Sequence, residues 1–168
     1  QGRVHHRKGY QIPEAGRTAR GTAIVNVLPL NENEAVTAMV VTREFNEDEY
    51  LVMVTRKGTV KRIPFIALKT NRKGGIRAIT LDEGDQLINV IRTSGEDNII
   101  LASAQGMAIC YNENDVRPMG RDAAGVRGIQ LAGGGGESAD LADPPGLHVG
   151  LYRSAGRDLA GAGCVFHG

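Results

Sequence analysis

One order of parts recurs in this chain about every fifty residues. Each unit has an apolar strand, a glycine turn, a second strand, a basic loop containing glycine, an apolar strand closed by leucine, and an acidic turn. The glycine turns are Gln1-Gly2, Lys57-Gly58 and Gln105-Gly106. The closing leucines Leu30, Leu81 and Leu131 are 51 and 50 residues apart. A period of this size built from short strands is typical of a bladed or solenoid array, in which each unit buries its faces only against its neighbours.

The apolar segments of the units favour strands over helices. They are short, rich in branched residues and bounded by Gly, Asn or Asp, which is typical of buried strands. The predicted strands are 50–55, 59–63, 76–81, 86–93, 98–103 and 107–111, with the segment closed by Leu30 as the counterpart of 76–81 in the first unit. Because a tight glycine turn joins the first two strands, each such pair should form a hairpin. Four strands per unit is the predicted count.

The repeat also divides the chain. We predict a partial first blade at 1–42, a second blade at 43–93, an incomplete third blade at 94–132 and a tail at 133–168. The first unit opens at its glycine turn, without a preceding strand, so a fragment of a longer array is expected. The tail is rich in Gly, Ala and Pro and lacks an evident apolar alternation, which predicts disorder.

Composition narrows the class of protein. The chain has 168 residues, of which 41% are hydrophobic and 23% charged, as in ordinary globular proteins. Aromatic residues make up only 4%, which argues against an aromatic platform for unpaired bases. Cys110 and Cys164 lie in unrelated contexts without metal-ligand spacing, which favours a reducing compartment. Neither a membrane span nor a signal peptide is evident, so we expect a cytoplasmic protein with no membrane partner.

Charge is unevenly distributed although the formal net charge is only +1. Between Arg56 and Arg77 there are eight Lys or Arg residues and no Asp or Glu. An acidic cluster precedes them, formed by Glu44, Glu47, Asp48 and Glu49. This segregation predicts a basic stripe and an acidic edge on one body. The simpler alternative is a solvated loop with its charges in water.

Cations recur in the loop between the second and third strands of every unit. They are Arg17 and Arg20 in the first unit, Lys69, Arg72 and Lys73 in the second, and Arg117, Arg121 and Arg127 in the third. If the units surround a disc, equivalent loops share one rim, and their cations form a track that suits the phosphates of duplex DNA. Glycines in the same loops would let backbone N–H groups approach phosphate oxygens. A propeller-type scaffold that binds a protein through an acidic or apolar face is the alternative.

Three motifs in these loops resemble a known family. They are Arg-Thr-Ala-Arg-Gly at 17–21 with Ile-Val-Asn-Val-Leu-Pro-Leu at 24–30, Leu-Lys-Thr-Asn-Arg-Lys-Gly-Gly-Ile-Arg-Ala-Ile at 68–79, and Asn-Asp-Val-Arg-Pro-Met-Gly-Arg at 114–121 with Gly-Val-Arg-Gly-Ile at 125–129. Together they resemble the C-terminal domain of the DNA gyrase A protein. The resemblance implies an all-β, propeller-like β-pinwheel, of which this chain supplies about three four-stranded blades of a six-bladed disc and an irregular C-terminal tail.

The resemblance also implies a function. It points to DNA binding and wrapping without sequence specificity, as part of an ATP-dependent type IIA topoisomerase that introduces negative supercoils. The implied phosphate contacts are Arg17, Arg20, Lys69, Arg72, Lys73, Arg121 and Arg127. The implied partners are double-stranded DNA and the gyrase B protein, while ATP and Mg²⁺ would bind elsewhere in the parent enzyme.

Chemistry within the chain itself is not expected. No tyrosine resembles the cleavage tyrosine of the family, so no catalytic residue is assigned. The neighbouring His5 and His6 would point to opposite faces of a strand, so no metal site is assigned either. The basic box that distinguishes gyrase from topoisomerase IV is not present in this sequence, so the C-terminal domain of the topoisomerase IV A protein remains an alternative.

Overall fold

Short strands and 3-10 turns make up the regular structure. The computed structural model describes residues 2–31, 34–103, 106–130 and 147–152, the last six as backbone only. The strands are β1 (Arg3–Val4), β2 (Tyr50–Thr55), β3 (Thr59–Pro64), β4 (Ile76–Arg77), β5 (Leu87–Thr93), β6 (Asn98–Ser103), β7 (Ala108–Asn112), β8 (Val126–Arg127) and β9 (Leu147–Tyr152). The 3-10 turns are Gly9–Gln11, Ile24–Asn26, Phe65–Leu68 and Glu113–Asp115. The all-β prediction is confirmed for the described residues.

Both predicted hairpins are present. β2 pairs with β3, and β6 pairs with β7, each in antiparallel register. The turn glycines Gly58 and Gly106 have φ values of +85° and +82°. Only glycine adopts this region without steric cost, so the residue type at these positions fixes the turn.

Two of the three sheets among the described residues combine strands from two successive units. The sheet orders are β1-β4, β5-β2-β3-β8 and β7-β6-β9. β4 follows the hairpin of β2 and β3 in sequence, but it pairs with β1 of the first unit. In the same way, β8 of the third unit pairs with β3 of the second. In the second unit, the chain therefore adds β4 to the preceding sheet before it returns to its own sheet with β5. The predicted unit boundaries stay a prediction; the central sheet has four strands, but one of them comes from the following unit.

These exchanged strands form two joints with the same geometry. We call the pairing of β1 with β4 the first joint and the pairing of β3 with β8 the second joint. Val4 lies opposite Ile76 in the first joint, and Val60 lies opposite Val126 in the second. In each pair, one partner is the second residue after the turn glycine and the other is the first residue of the exchanged strand, so the register is identical.

The glycine turns themselves close the joints. The Gly2 carbonyl accepts from the N–H groups of Ala78 and Ile79 at 2.8 and 3.3 Å. The equivalent acceptor in the second joint is Gly58, with the same two distances to the N–H groups of Gly128 and Ile129. A Cβ on Gly58 would lie 2.7 Å from the carbonyl oxygen of Ile129, and one on Gly2 would overlap that of Ile79. Glycine is thus required both for its φ angle and for this close approach.

The central strand β2 separates two hydrophobic cores. Its alternating side chains point to opposite faces, as in any strand. Leu51 and Met53 enter a core with Ile63, Phe65, Leu68, Ile76, Ala78 and Ile79. Val52 and Val54 enter the other, with Val60, Ile99, Leu101, Val116 and Ile129. Burial on both faces explains why this strand is a continuous apolar run.

The strand predicted before Leu30 is wrong. Ile24–Asn26 forms a 3-10 turn instead, and Val25 is 64% exposed. Its counterparts in the later units form β4 and β8, and both of these pair with the unit before them. Among the described residues no strand pairs with this segment, and the N–H groups of Val27 and Leu28 donate to the Ile24 carbonyl instead.

A strand lies inside the predicted disordered tail. β9 pairs antiparallel with β6, in the place that β5 holds beside β2. The disorder predicted for the tail stays a prediction: residues 147–152 form this strand, and residues 133–146 and 153–168 lie outside the described residues. The alternation of Leu147, Val149 and Leu151 is the sequence signal that could have indicated this strand.

No helix in the described part of the chain is long and apolar enough to cross a membrane.

Candidate nucleic-acid interface

The seven predicted phosphate contacts are all exposed. They are Arg17, Arg20, Lys69, Arg72, Lys73, Arg121 and Arg127. Within the described residues none of them forms an ion pair with a carboxylate. Exposed and unpaired cations are free to accept an anionic ligand without first breaking a salt bridge.

Backbone contacts hold the second basic loop against the first joint. Lys69 follows the 3-10 turn Phe65–Leu68, and Arg72 and Lys73 precede β4. Gly75 has φ +69°, and its N–H donates to the Arg72 carbonyl at 3.2 Å. A Cβ on Gly75 would lie 2.5 Å from the Val4 carbonyl oxygen. This glycine lets the loop turn tightly where it meets β1.

Arg3 adds a cation to the same place. Its Nη2 donates to the carbonyl oxygens of Gly74 at 2.9 Å and Gly75 at 3.3 Å. Arg3 lies directly opposite Arg77 in the pairing of β1 with β4, and both residues are exposed. Sequence reasoning assigned neither residue to the site. Arg77 could have been found because Gly-Ile-Arg at 75–77 matches Gly-Val-Arg at 125–127, which places it at the register position of Arg127.

The third basic loop is fixed by a buried lysine. The Nζ of Lys61 donates to the carbonyl oxygens of Ala78 (2.7 Å), Arg121 (2.7 Å) and Ala123 (2.8 Å). Burial lowers the pKa of Lys61 to about 8, and the negative charge of Asp122 opposes that shift. Three carbonyl acceptors suit the three N–H donors of an ammonium group. Lys61 therefore ties the backbone beside Arg121 to the segment that forms the first joint.

Two further contacts support the same loop. The Thr80 hydroxyl donates to the Asp122 carbonyl at 3.0 Å. The Met119 N–H donates to the Arg62 carbonyl at 2.8 Å. Residues 117–120 and 123–126 line a shallow groove of about 440 Å³ on this loop, with the exposed Arg117 at one end. The loop that carries Arg121 thus has a defined position on the second unit.

Arg62 and Lys61 are both buried, so the predicted basic stripe has two fewer surface charges than the sequence suggests. The Nε of Arg62 lies 3.0 Å from Glu113 Oε2, with both side chains almost fully buried. Its Nη1 donates to Asn114 Oδ1 at 2.9 Å, and its guanidinium lies 3.8 Å from the centre of the Tyr50 ring. Together with Lys61 it belongs to the interior. The stripe predicted over 56–77 is corrected in this respect, because these cations hold the second joint.

Both carboxylate oxygens of Glu113 accept hydrogen bonds. Its Oε1 accepts from the N–H groups of Gly95 and Asp97, each at 2.8 Å. Its Oε2 accepts from the Thr93 hydroxyl at 2.6 Å. No local pattern in the sequence marks this residue, since its ion-pair partner lies 51 positions away.

The first basic loop lacks this support. Arg17 and Arg20 lie in an exposed segment whose backbone bonds are local, such as that from the Ala19 N–H to the Gly16 carbonyl at 2.9 Å. In the described residues this loop is not attached to a strand exchange of the kind seen in both joints. The second and third basic loops therefore lie at equivalent joints, whereas the first basic loop does not lie at a joint among the described residues.

The carboxylates of the acidic turns accept hydrogen bonds from neighbouring backbone groups. Asp85 Oδ1 accepts from the N–H of Lys57 at 3.0 Å and from that of Gln86 at 2.8 Å. Asp97 Oδ2 accepts from the N–H and the hydroxyl of Ser94 at 2.8 and 3.1 Å. These carboxylates close turns, which agrees with the role expected for acidic residues at such positions.

Exchanged strands, repeated glycine joints and exposed basic loops define a propeller-type array with a cationic surface. A family model described as DNA gyrase C-terminal domain, beta-propeller, matches residues 1–43, 49–94 and 97–137. The chain belongs to this family.

Individual relatives agree with the family match. The DNA gyrase A protein of Klebsiella oxytoca is 50% identical over 133 residues, which are 79% of this chain and 15% of that protein. The DNA gyrase A protein of Clostridium acetobutylicum is 48% identical over 128 residues, which are 76% of this chain and 15% of that protein. The chain therefore spans about 15% of the length of these curated relatives.

Solved structures show the same fold. The C-terminal domain of DNA topoisomerase IV aligns with a TM-score of 0.77 at 25% identity, over 92% of this chain and 45% of that chain. A DNA gyrase A C-terminal domain aligns with a TM-score of 0.66 at 22% identity, over 88% of this chain and 44% of that chain.

Proposed function

We propose that this chain binds duplex DNA through its basic loops, without base-sequence preference, and bends it as part of a gyrase-type C-terminal domain. The observation that carries this proposal is the recurrence of exposed, unpaired cations at equivalent joints. Arg77 and Arg127 occupy the same register position, and Lys69 to Lys73 and Arg121 lie in the loops that lead to them. Repetition of one backbone geometry repeats the spacing of charge, which suits a ligand with periodic charge such as DNA.

The pair of Arg3 and Arg77 supports an anionic ligand. Like charges directly opposite each other on paired strands destabilise the pairing. A phosphate between the two guanidinium groups would remove that repulsion and accept charge-assisted hydrogen bonds from both. The ligand would therefore strengthen the first joint at the point where it binds.

The geometry of the loops supports weak sequence preference. Reading base edges in the major groove takes a helix or a two-stranded ribbon long enough to enter it. The exchanged strands β4 and β8 have two residues each, and the neighbouring 3-10 turns have three or four. Contacts from such loops reach the phosphate backbone, which positions DNA and leaves selectivity to its deformability.

Within the parent enzyme, the proposal is one of DNA handling. Bending a site of 20–30 bp through tens of degrees costs of order 1–6 kcal/mol, and recurrent phosphate contacts would offset that cost. Wrapping with one handedness would present a neighbouring segment to the cleavage gate, so that strand passage introduces negative supercoils. The gyrase B protein, ATP and Mg²⁺ would act elsewhere in the parent enzyme, and its location would be cytoplasmic, where bacterial DNA lies.

The topoisomerase IV alternative keeps one observation in its favour. The topoisomerase IV domain aligns with a higher TM-score than the gyrase A domain, 0.77 against 0.66. The curated relatives at 50% and 48% identity are gyrase A proteins, and we therefore propose gyrase. Supercoiling by the complete A and B proteins, with and without substitutions in the basic loops, separates the two: gyrase introduces negative supercoils and the alternative only relaxes DNA.

Salt dependence tests the DNA-binding proposal. Binding to a duplex of ~100 bp is measured by fluorescence anisotropy over a series of salt concentrations, for the chain and for Arg72→Gln/Lys73→Gln. Each phosphate contact adds about one to the slope of log affinity against log salt, so the variant should lose a slope of about 2. Arg43→Gln/Arg92→Gln is the control, because it removes two exposed cations outside the basic loops, one of which, Arg92, lies 3.5 Å from the Glu49 carboxylate. Absence of binding at low salt, or an equal loss in the control, would contradict the proposal.

Ligation measures the bending. A linear duplex of ~150 bp, about one persistence length, circularises slowly on its own. The chain should raise the yield of ligated circles, and Arg72→Gln/Lys73→Gln should abolish that gain at equal occupancy of the DNA. Binding without any gain in circles would leave a DNA-binding module that does not bend its ligand.

A further inference from the structure

Hydrogen bonds attach the third basic loop to the exchanged segment of the first joint. Ala78 follows β4, and its N–H donates to the Gly2 carbonyl at 2.8 Å. Its own carbonyl accepts from Lys61 Nζ at 2.7 Å, and the same Nζ donates to the carbonyl oxygens of Arg121 and Ala123. One ammonium group therefore connects the first joint to the loop that leads into the second joint.

Lys61 does not itself present its charge to a ligand. The residue is fully buried, and the three N–H donors of its ammonium group are matched by three carbonyl acceptors. The charge that faces solvent in the attached loop belongs to Arg121, which is exposed. Lys61 can therefore act on a ligand through the position that it gives to this loop.

The repeat does not require a lysine at this position. The third residue after the turn glycine is Lys61 in the second unit, His5 in the first and Ile109 in the third. The Nδ1 of His5 has no hydrogen-bond partner among the described residues, and the first joint forms the same backbone pairing as the second. Burying a charge is costly, so its presence in the second joint points to a role in the attached loop rather than in the pairing.

Bending DNA requires more of a surface than charge. A cation on a loosely held loop can follow a straight duplex and still contact a phosphate. To bend the duplex, the cations must keep their places against its stiffness, so the loops that carry them must be fixed relative to each other. The hydrogen bonds of Lys61 make such a connection between the segment that continues the second basic loop and the third basic loop.

We propose that Lys61 is a positioning residue for DNA bending, which holds Arg121 at a fixed place relative to the cations of the second basic loop. This inference rests on the proposed binding of DNA. Thr80 assists in the same attachment, since its hydroxyl donates to the Asp122 carbonyl at 3.0 Å and its N–H donates to the Ala123 carbonyl at 3.3 Å. Affinity then depends on the number of exposed cations, whereas the curvature of the bound DNA depends on their fixed spacing.

Lys61→Met tests this role, because it keeps the length of the side chain and removes its N–H donors. Affinity for a duplex of ~100 bp should fall less than about threefold, since no phosphate contact is lost. At equal occupancy of a duplex of ~150 bp, the gain in ligated circles should fall at least about fivefold, because the third basic loop can then follow straighter DNA. A residue that only stabilised the fold would not change the circles formed at equal occupancy by a folded chain.

Two further variants complete the test. Lys57→Met is the matched control, because it removes an exposed lysine of the same hairpin, whose Nζ donates to the Glu83 carbonyl at 2.7 Å; it should leave the gain in circles unchanged. Thr80→Val weakens the attachment of the third basic loop without removing a charge. It should lower the gain in circles by a smaller factor than Lys61→Met and leave the affinity unchanged, and it decides the question if Lys61→Met does not fold.

The outcomes separate this inference from the proposed function. If the chain without substitutions does not raise the yield of circles, the proposed bending fails and this inference fails with it. If that chain does raise the yield, and the folded Lys61→Met and Thr80→Val variants raise it equally, only the positioning role of Lys61 is overturned. An equal loss of circles in Lys57→Met would also overturn that role, because the effect would then follow the lost charge and not the loop.

Discussion

The two joints share a backbone and differ in their side chains. In both, a turn glycine accepts two N–H groups and an exchanged strand pairs in the same register. The first joint is packed by rings: His6 stacks on Phe45 at 5.1 Å, and Phe45 stacks on Phe65 at 4.7 Å. In the second joint, Arg62 replaces the ring at the position of His6 and pairs with the buried Glu113.

The comparison shows that the repeat requires a common backbone geometry, whereas the side chains that pack each joint can differ. The backbone geometry determines where the basic loops lie, and it is the same in both joints. The side chains only have to fill the space and satisfy every polar atom. Rings do so by packing, whereas a buried ion pair must be fully hydrogen-bonded to offset its desolvation. The second joint should therefore be far more sensitive to substitution than the first.

The largest effect is expected for Glu113→Ala. It leaves the buried guanidinium of Arg62 without its carboxylate and three donors without an acceptor. Removing one partner of a buried pair costs about 3–5 kcal/mol, which urea unfolding can measure. Glu96→Ala, at an exposed carboxylate in the same turn region, should change stability by less than about 0.5 kcal/mol. Similar losses in the two variants would mean that the ion pair does not hold the joint.

An intermediate effect is expected from alanine at the turn glycines. Gly58→Ala strains a positive φ and overlaps the Ile129 carbonyl, so we expect a loss of about 2–5 kcal/mol. Gly106→Ala meets only the cost of φ, about 1–2 kcal/mol, because a Cβ there would meet nothing within 4 Å. The difference between the two losses of unfolding free energy, measured in urea, gives the contribution of the close approach between Gly58 and the Ile129 carbonyl oxygen. Equal losses would show that the joints do not depend on it.

The smallest effect concerns the rings of the first joint. Burial, with a further contribution from His5, lowers the pKa of His6 below its ordinary value of 6.5. The unfolded chain therefore binds more protons than the folded chain just below pH 6.5, and stability falls as the pH falls through this window. We expect the smallest of the three effects, because the imidazole of His6 is only half-buried and solvent screens its charge.

A ring without a titrating group provides the control for this effect. His6→Phe keeps a stacked ring, so the difference in unfolding free energy between the two proteins should be constant above about pH 7. Toward lower pH the difference should move in favour of the phenylalanine variant. A difference that stays constant across the whole range would show that His6 does not couple stability to pH.

Sequence reasoning recovered the hairpins because their determinants are local. The turn glycines and the branched runs of β2 and β6 fix both strands and their register within a few residues. It also recovered the seven exposed cations as candidates, although their contact with DNA stays a prediction. It failed where a segment depends on a distant partner: the residues before Leu30 pair with no strand among the described residues and form a turn.

The cations also show which features are local in sequence and which depend on distant contacts. The sequence identified eight cations between Arg56 and Arg77, but it could not distinguish exposed from buried ones. Arg62 finds its carboxylate on the following unit, and Lys61 finds three carbonyl oxygens on two units. Neither set of acceptors is adjacent in sequence, so these cations look like their exposed neighbours.

By itself the sequence determined the repeat, its glycine turns, its all-β class and the family to which the chain belongs. These follow from spacing and residue type, which act over a few positions. Only the tertiary structure decided that the second and third units each contribute a strand to the unit before them, and that Arg3 lies opposite Arg77. It also decided which cations face solvent. Strand exchange depends on pairings farther apart than one period, such as Val60 with Val126, and a local pattern of residues does not specify its partner at that distance.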